Sequence, residues 1–308
     1  MADNKQNYPG RPGICRSCGA LVGAAETSCH VCGAPVGQAA ASAISLHERY
    51  AIGYARALLS RPYIFTIIFL IANFFVFMLM WESSGMSSTV LWGAFPEPVL
   101  LAYGAKTNYL IRFDHEWWRF VTPVFIHVNL PHVLINMYSL WVIGPWVEKL
   151  YGSVKFVVFW IFTGTAGVLA SYLTVIPGSS PGFFESFLIK SADQPSAGAS
   201  GALFGLVGVL FVFGVKYRRE LPEGFKRAFG TGLLPVIIPN IGIGFMLRGV
   251  IDNAAHMGGL LSGAALASVV TYKRPGASTG MTIAWRVAQI AALVLVLVCF
   301  VMVARHFG

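Results

Sequence analysis

The sequence predicts an all-α protein that crosses a membrane several times, preceded by a small cysteine-rich module. Three observations point there. The 308 residues are 56% hydrophobic and only 11% charged, with a mean hydropathy of +0.66, whereas an ordinary soluble domain is about 25% charged. Several uncharged apolar runs approach the roughly 20 residues that cross a ~30 Å hydrocarbon core, and a backbone in lipid must satisfy its own hydrogen bonds, so these runs are helices. Finally, four of the five cysteines fall in two close pairs near the front of the chain.

In chain order, Cys15, Cys18, Cys29 and Cys32 form C-x2-C-x10-C-x2-C, with Gly19 and Gly33 behind the two pairs to permit tight turns. Two such turns present four thiolates tetrahedrally, the pattern of a structural zinc site, and resemble a zinc ribbon. Two disulfides are the competing pairing, disfavoured if the module lies in a reducing compartment. Four thiolates fill the shell of the metal, so the zinc is expected to fold residues 1–37 rather than catalyse. The Gly/Ala-rich stretch from Pro35 to Ser45 reads as a flexible linker. Ile44 to Arg61 mixes apolar residues with Arg49, Arg56 and Arg61, which fits either a helix on the membrane surface or an extension of the first span.

Seven spans are expected: Pro62–Trp81, Pro131–Val147, Phe156–Ile176, Ser200–Val215, Ala228–Phe245, Asn253–Tyr272 and Val287–Ala304. No secretory signal opens the chain, and the first apolar run is long enough to act as an anchor. An N-terminus in the cytoplasm places Lys149, Lys155, Lys216, Arg218, Arg219, Lys226, Arg227, Lys273, Arg274 and Arg286 inside with the basic front segment. Lys106, Arg112, Arg119, Lys190, Arg248 and Arg305 remain outside, giving 16 of the 22 Lys and Arg inside. The positive-inside rule therefore favours this orientation, and the net charge of +9 serves orientation rather than nucleic acid, for which no motif is present.

Polar groups at membrane depth are costly and mark function. Gly198-Ala199-Ser200-Gly201 stands where an external loop meets the fourth span. That span is short, so Ser200 is expected below the outer surface, preceded by irregular backbone lining a wet cavity. Read alone, Ser200 is either a nucleophile or a plain helix start. His256 precedes Gly259 and Gly263, and Ser200 precedes Gly201 and Gly205. Two such small-residue faces let helices approach closely and would bring the imidazole to the hydroxyl. Read alone, His256 is as well a core histidine bonded to a carbonyl. His127-x4-His132-x3-Asn136 enters the second span, with His132 and Asn136 on one face. They could donate to an oxyanion, form an interfacial pair, or hold a metal. Asp252 reads as the N-cap of the sixth helix, and Cys299, alone in the last span, reads as packing.

Together the Gly-Ala-Ser-Gly box, Ala255-His256-x-x-Gly259-x-x-x-Gly263, the His127/His132/Asn136 element and Glu116-Trp117-Trp118-Arg119 resemble the rhomboid family of intramembrane serine proteases, from about Tyr63 to Tyr272. The resemblance implies a six-helix rhomboid-like bundle over 62–273, entered through a linker and juxtamembrane segment at 38–61. Residues 274–308 then form an extra C-terminal transmembrane helix. It implies a catalytic dyad of Ser200 and His256, an oxyanion hole of His132, Asn136 and the Ser200 amide, and no cofactor for catalysis. Glu116 and Arg119 would support the first external loop, and His127 would pack. Phe204 stands where the family often has a tyrosine stacked on the histidine. Pro235 and Pro239 weaken the fifth span, which with the loop at about Gly244–Asp252 is either a substrate gate or a plain kink. The implied substrates are transmembrane segments of other proteins, cut from the outer side of a bacterial plasma membrane. The partner of the zinc module is not legible. A client-binding pseudoenzyme and a proton-relaying transporter are the rival functions. The first usually lacks the serine or histidine kept here, and the second predicts a repeat symmetry that the halves do not show.

Overall fold

The computed structural model describes residues 13–15, 17–23, 26–36, 46–247, 250–273 and 283–307. Residues 37–45 of the expected Pro35–Ser45 linker, and Lys5, Arg11, Arg16, Arg248 and Arg274 of the charge argument, lie outside them. The chain divides into two compact units, Met1–Ala57 and Leu58–Gly308.

In the first unit, strand β1 (Gly13–Ile14) pairs antiparallel with β2 (Leu21–Val22), Ile14 opposite Leu21. Gly19 and Gly33 both take positive φ, +78° and +70°, which a residue with a Cβ rarely adopts. The two turns repeat one pattern: Gly19 N–H donates to Cys15 O at 2.9 Å and Gly33 N–H to Cys29 O at 2.8 Å. Cys15 and Cys29 are buried with Val22 and Val36 in a very small core. Helix α1 (Leu46–Leu59) stops before the first span begins at Ile64. It is therefore a separate helix, not a continuation of that span.

The second unit is a bundle of membrane helices. Helix α2 (Ile64–Ser83) buries Phe69, Val76, Phe77 and Met80 while Ile67, Ile71, Phe75 and Met78 stay exposed. In water such a face would be a liability; on a membrane span it is the lipid-facing side. Its start is held by Glu148, whose carboxylate accepts from Phe65 N (3.0 Å), Thr66 N (2.8 Å), Thr66 Oγ1 (2.8 Å) and Ser153 Oγ (2.6 Å).

The first external loop is far more structured than its sequence suggests. It folds into α3 (Ser88–Trp92), α4 (Glu97–Ala102), α5 (Asn108–Phe113) and two 3-10 turns, Trp117–Phe120 and Thr122–Phe125. Helices α6 (Leu130–Tyr151) and α7 (Ser153–Thr174) then follow with only Gly152, at φ +85°, between them. Helix α8 (Ser200–Lys216) is buried along most of its length. After the short α9 (Glu223–Ala228), the fifth span differs from expectation: a 3-10 turn at Gly230–Leu233 leads into α10, Leu234–Met246, of only 13 residues. Pro235 falls in the first turn of α10, where its missing N–H costs nothing, while Pro239 lies inside. Helix α11 (Asn253–Val269) and the long α12 (Ile283–Arg305) complete the bundle. Among the described residues α2, α7 and α12 are long and apolar enough for a full crossing by length and composition.

Basic side chains gather at one end of this unit and bond to carbonyls at or just beyond the ends of α6 and α11. Arg61 donates to Lys149 O (2.9 Å) and Lys273 O (2.7 Å), Lys155 to Thr271 O (2.7 Å), and Lys216 to Ser268 O (2.7 Å). Lys149 O and Ser268 O lie in the last turns of α6 and α11, where a helix leaves carbonyls unpaired and a cation complements its dipole, while Thr271 O and Lys273 O follow the end of α11.

Candidate active site

The site is built on a crossing of backbones. A methyl group placed at Gly259 of α11 would overlap the Gly201 carbonyl oxygen of α8, and one at Gly263 would overlap that of Gly205. Helix α7 joins from a third side, where a methyl at Gly167 would stand 2.7 Å from the Ala255 carbonyl oxygen. No residue with a side chain fits these positions at this separation, and the expected glycine faces do meet.

At the head of the crossing, His256 Nε2 lies 2.8 Å from Ser200 Oγ, within hydrogen-bonding distance. The Phe204 ring stacks on the imidazole, centroids 4.3 Å apart and planes 13° from parallel. Ser200 is the first residue of α8, and Ala199 before it offers no capping side chain. The first amides of the helix thus point toward the site without an internal partner.

His132 reaches the same place from α6. A methyl at Gly198 would meet the His132 ring at 2.7 Å (Cε1) and 2.9 Å (Nε2), and Ser200 Oγ at 3.7 Å. Gly198 therefore has no room for a side chain, and its φ of +138° suits glycine as well. Asn136, one turn on from His132, is buried and donates from Nδ2 to His132 O at 2.8 Å, leaving its second N–H for another acceptor. His127 is fully buried with its ring edge-on to His132 at 5.0 Å. Among the described residues neither His127 nitrogen finds a partner.

The strand before Ser200 is irregular, yet its backbone groups are paired. Lys106 N–H donates to Ser196 O and Ser196 N–H to Lys106 O, both at 2.9 Å, and Gly198 N–H donates to Pro123 O at 2.8 Å. The first external loop is thus the wall of the site. Arg119 holds that loop by donating to Leu101 O and Ala105 O at 2.8 Å each while pairing with Glu116, the supporting part expected of Glu116 and Arg119. Lys106 is 1% exposed; burial pushes its ammonium down to about 8, with Asp252 and Asp193 opposing the fall.

Asp252 caps α11 through Ala255 N, as expected, but also accepts from Ser171 Oγ and Ser196 Oγ and pairs with Lys190. In the sequence Lys106 and Lys190 entered only the charge balance, and none of Lys106, Ser171, Lys190 and Ser196 was marked as a site residue. No spacing rule joins them, because they come from three separate segments. The loop beyond α10, expected as part of a gate, is described except at residues 248 and 249.

In the N-terminal unit the sulfurs of Cys15, Cys18, Cys29 and Cys32 all lie within 4.8 Å of one another, and all four cysteines are free. Cys15 Sγ–Cys32 Sγ and Cys18 Sγ–Cys29 Sγ are each 3.7 Å. Four sulfurs at ~2.3 Å around one tetrahedral zinc would stand about 3.8 Å apart. The cluster fits a zinc-ribbon-like module whose cysteines can hold a metal.

The family model described as the Rhomboid domain matches residues 114–273. The chain is 33% identical over 213 residues to the Rhomboid protease GluP of Bacillus subtilis (strain 168), covering 69% of this chain and 36% of that one. It is 32% identical over 176 residues to RHOMBOID-like protein 5 of Arabidopsis thaliana, covering 57% and 51%. To the Putative rhomboid protease YdcA of Bacillus subtilis (strain 168) it is 29% identical over 192 residues, covering 60% and 85%. The match therefore spans about a third of the first relative's length and half of the second's. A matched domain that contains Ser200, His256, His132 and Asn136, and that folds as an all-α bundle, leaves one conclusion: the chain belongs to the rhomboid family.

Proposed function

We propose that this protein is an intramembrane serine endopeptidase that cuts transmembrane segments of other membrane proteins with a Ser200–His256 dyad. One observation carries the reading: a serine and a histidine 2.8 Å apart, on two helices that only glycine allows to meet. In the proposed reaction a substrate segment unwinds to expose a peptide carbonyl, because a helical one hides its carbon. Ser200 Oγ attacks that carbon as His256 Nε2 takes its proton. The new oxyanion forms beside the Ser200 amide, with His132 and Asn136 as further donors. His256 returns its proton to the leaving amine, and water, activated by the same imidazole, hydrolyses the acyl-enzyme and frees Ser200.

The site opens to the outer side of a bacterial plasma membrane, with the N-terminus in the cytoplasm. The basic end of the bundle, opposite Ser200, supports this orientation. Catalysis requires no cofactor. The N-terminal cysteines hold a structural zinc, and their 3.7 Å sulfur pairs support that choice of metal. The domain plan is a zinc module over 1–37, a juxtamembrane segment over 38–61, a catalytic core over 62–273 and an added helix over 274–308. The test uses purified protein in vesicles with a transmembrane reporter substrate. A fluorophosphonate probe should label the wild type and fail on Ser200→Ala, and reporter cleavage should vanish in Ser200→Ala and in His256→Ala. Full cleavage by either variant refutes the dyad. A wild type that binds the reporter but neither cleaves it nor takes the label is a client-binding protein instead.

A further inference from the structure

Asp252 does more than cap a helix. Its Oδ1 accepts from Ala255 N at 3.2 Å, one residue before His256. Its Oδ2 accepts from Ser171 Oγ of α7 and from Ser196 Oγ, each at 2.6 Å, and Lys190 Nζ stands 3.1 Å away. None of these bonds is to the imidazole, whose Nε2 faces Ser200. Lys190 and Ser196 belong to the external segment that runs into Gly198 and Ser200. Ser196 is also paired through both backbone groups with Lys106, which ties that segment to the first external loop. One carboxylate thus touches the helix of the imidazole, the segment leading into Ser200, and α7, which packs against both α8 and α11. A carboxylate so placed can serve four donors at once, which no neutral side chain can.

We propose that Asp252 is a positioning residue that fastens the strand before Ser200 to the first turn of the His256 helix, so that hydroxyl, amide and imidazole keep one register. The proposal rests on the Ser200–His256 reading above and adds to it. It separates Asp252 from the third member of a serine-protease triad, which would hydrogen-bond the histidine directly. Here the carboxylate acts on geometry, through Ser196 and Lys190. Displacement of catalytic groups by about 1 Å costs on the order of a hundredfold in rate.

The experiment compares the full chain with Asp252→Asn, Ser196→Ala, Lys190→Met and the double variant Asp252→Asn/Ser196→Ala, each in vesicles. It measures kcat and KM on the reporter, fluorophosphonate labelling and thermal unfolding. Asp252→Asn is expected to lower kcat about ten- to hundredfold with KM within about twofold. Ser196→Ala and Lys190→Met, which leave the carboxylate and the helix cap in place, should lower kcat about three- to tenfold with unchanged unfolding. The double variant should fall no lower than Asp252→Asn, because both changes cut the same link. The proposal is overturned if Asp252→Asn keeps kcat within twofold, or if the two single effects multiply. It is equally overturned if Asp252→Asn loses about 10,000-fold while Ser196→Ala and Lys190→Met stay fully active, the pattern of a direct histidine partner. A wild type that shows no Ser200-dependent labelling brings down the dyad itself, and the proposal with it.

Discussion

Replacing Gly259 with alanine tests whether the site depends on backbone contact between two helices. The added methyl would overlap the Gly201 carbonyl oxygen and come within 2.8 Å of its carbon and 3.3 Å of its Cα. Ordinary van der Waals contact between such atoms begins near 3.5 Å, and the obstacle is backbone in the first turn of α8, which has no rotamer to change. Helices α8 and α11 must then separate by about 1 Å. The Ser200 Oγ–His256 Nε2 distance is 2.8 Å, and the same shift would carry it beyond the hydrogen-bond limit of about 3.5 Å. A loss of about a hundredfold in kcat is expected, equivalent to about 2.7 kcal/mol in the barrier. Gly242→Ala is the control, since a methyl there meets nothing within 4 Å; it should leave kcat unchanged. Turnover of the transmembrane reporter reads both. If Gly259→Ala retains more than about a third of wild-type kcat, the inference from glycine contact to dyad geometry is wrong.

Three further outcomes follow from individual contacts. Phe204→Ala removes the ring stacked on His256 and should lower kcat about two- to tenfold, matching the ~0.5–1.5 kcal/mol of an aromatic pair, while Phe204→Tyr should not. Glu148→Ala leaves two hydroxyl and two backbone donors without their acceptor. Thermal unfolding should show a loss of about 3 kcal/mol, with normal kcat in the fraction that stays folded. Cys18→Ser combined with Cys29→Ser should reduce bound zinc from about one per chain to a trace, read by elemental analysis of the purified protein.

The helices were legible because lipid imposes one rule on every residue in a span. Apolar runs placed six of the seven helices within about four residues at each end, and Ser200 as the start of α8 was correct to the residue. The fifth span failed because Ala228–Phe245 is uncharged and largely apolar, and apolarity alone does not distinguish a helix from the 3-10 turn that fills Gly230–Leu233. The Ser200–His256 approach was legible because glycines mark places where backbones touch, and both residues sit near such a mark. The first external loop was not. Its three short helices and two 3-10 turns are held by Arg119 and by pairing with Ser196, contacts between segments with no common period. The Asp252 cluster was hidden for the same reason: its cap on Ala255 is a local signal, whereas Ser171, Ser196 and Lys190 are distant in sequence.

That hidden part is what the proposed hydrophilic reaction would need in this bundle. A serine starting a 17-residue helix, about 26 Å long, cannot reach across a ~30 Å core, so the chain before it must run through membrane depth without being helical. Such backbone survives only when its N–H and C=O groups find partners in protein. Here the partners come from the first external loop, through Lys106 and Pro123. The loop can offer them because Arg119 fixes Leu101 and Ala105 close by. The depth of Ser200 therefore depends on an arginine outside the site as much as on the glycines within it. Loosening the loop would strand unpaired amides in lipid, and the chain would recover them by extending α8 backwards, which would take Ser200 out of line with His256.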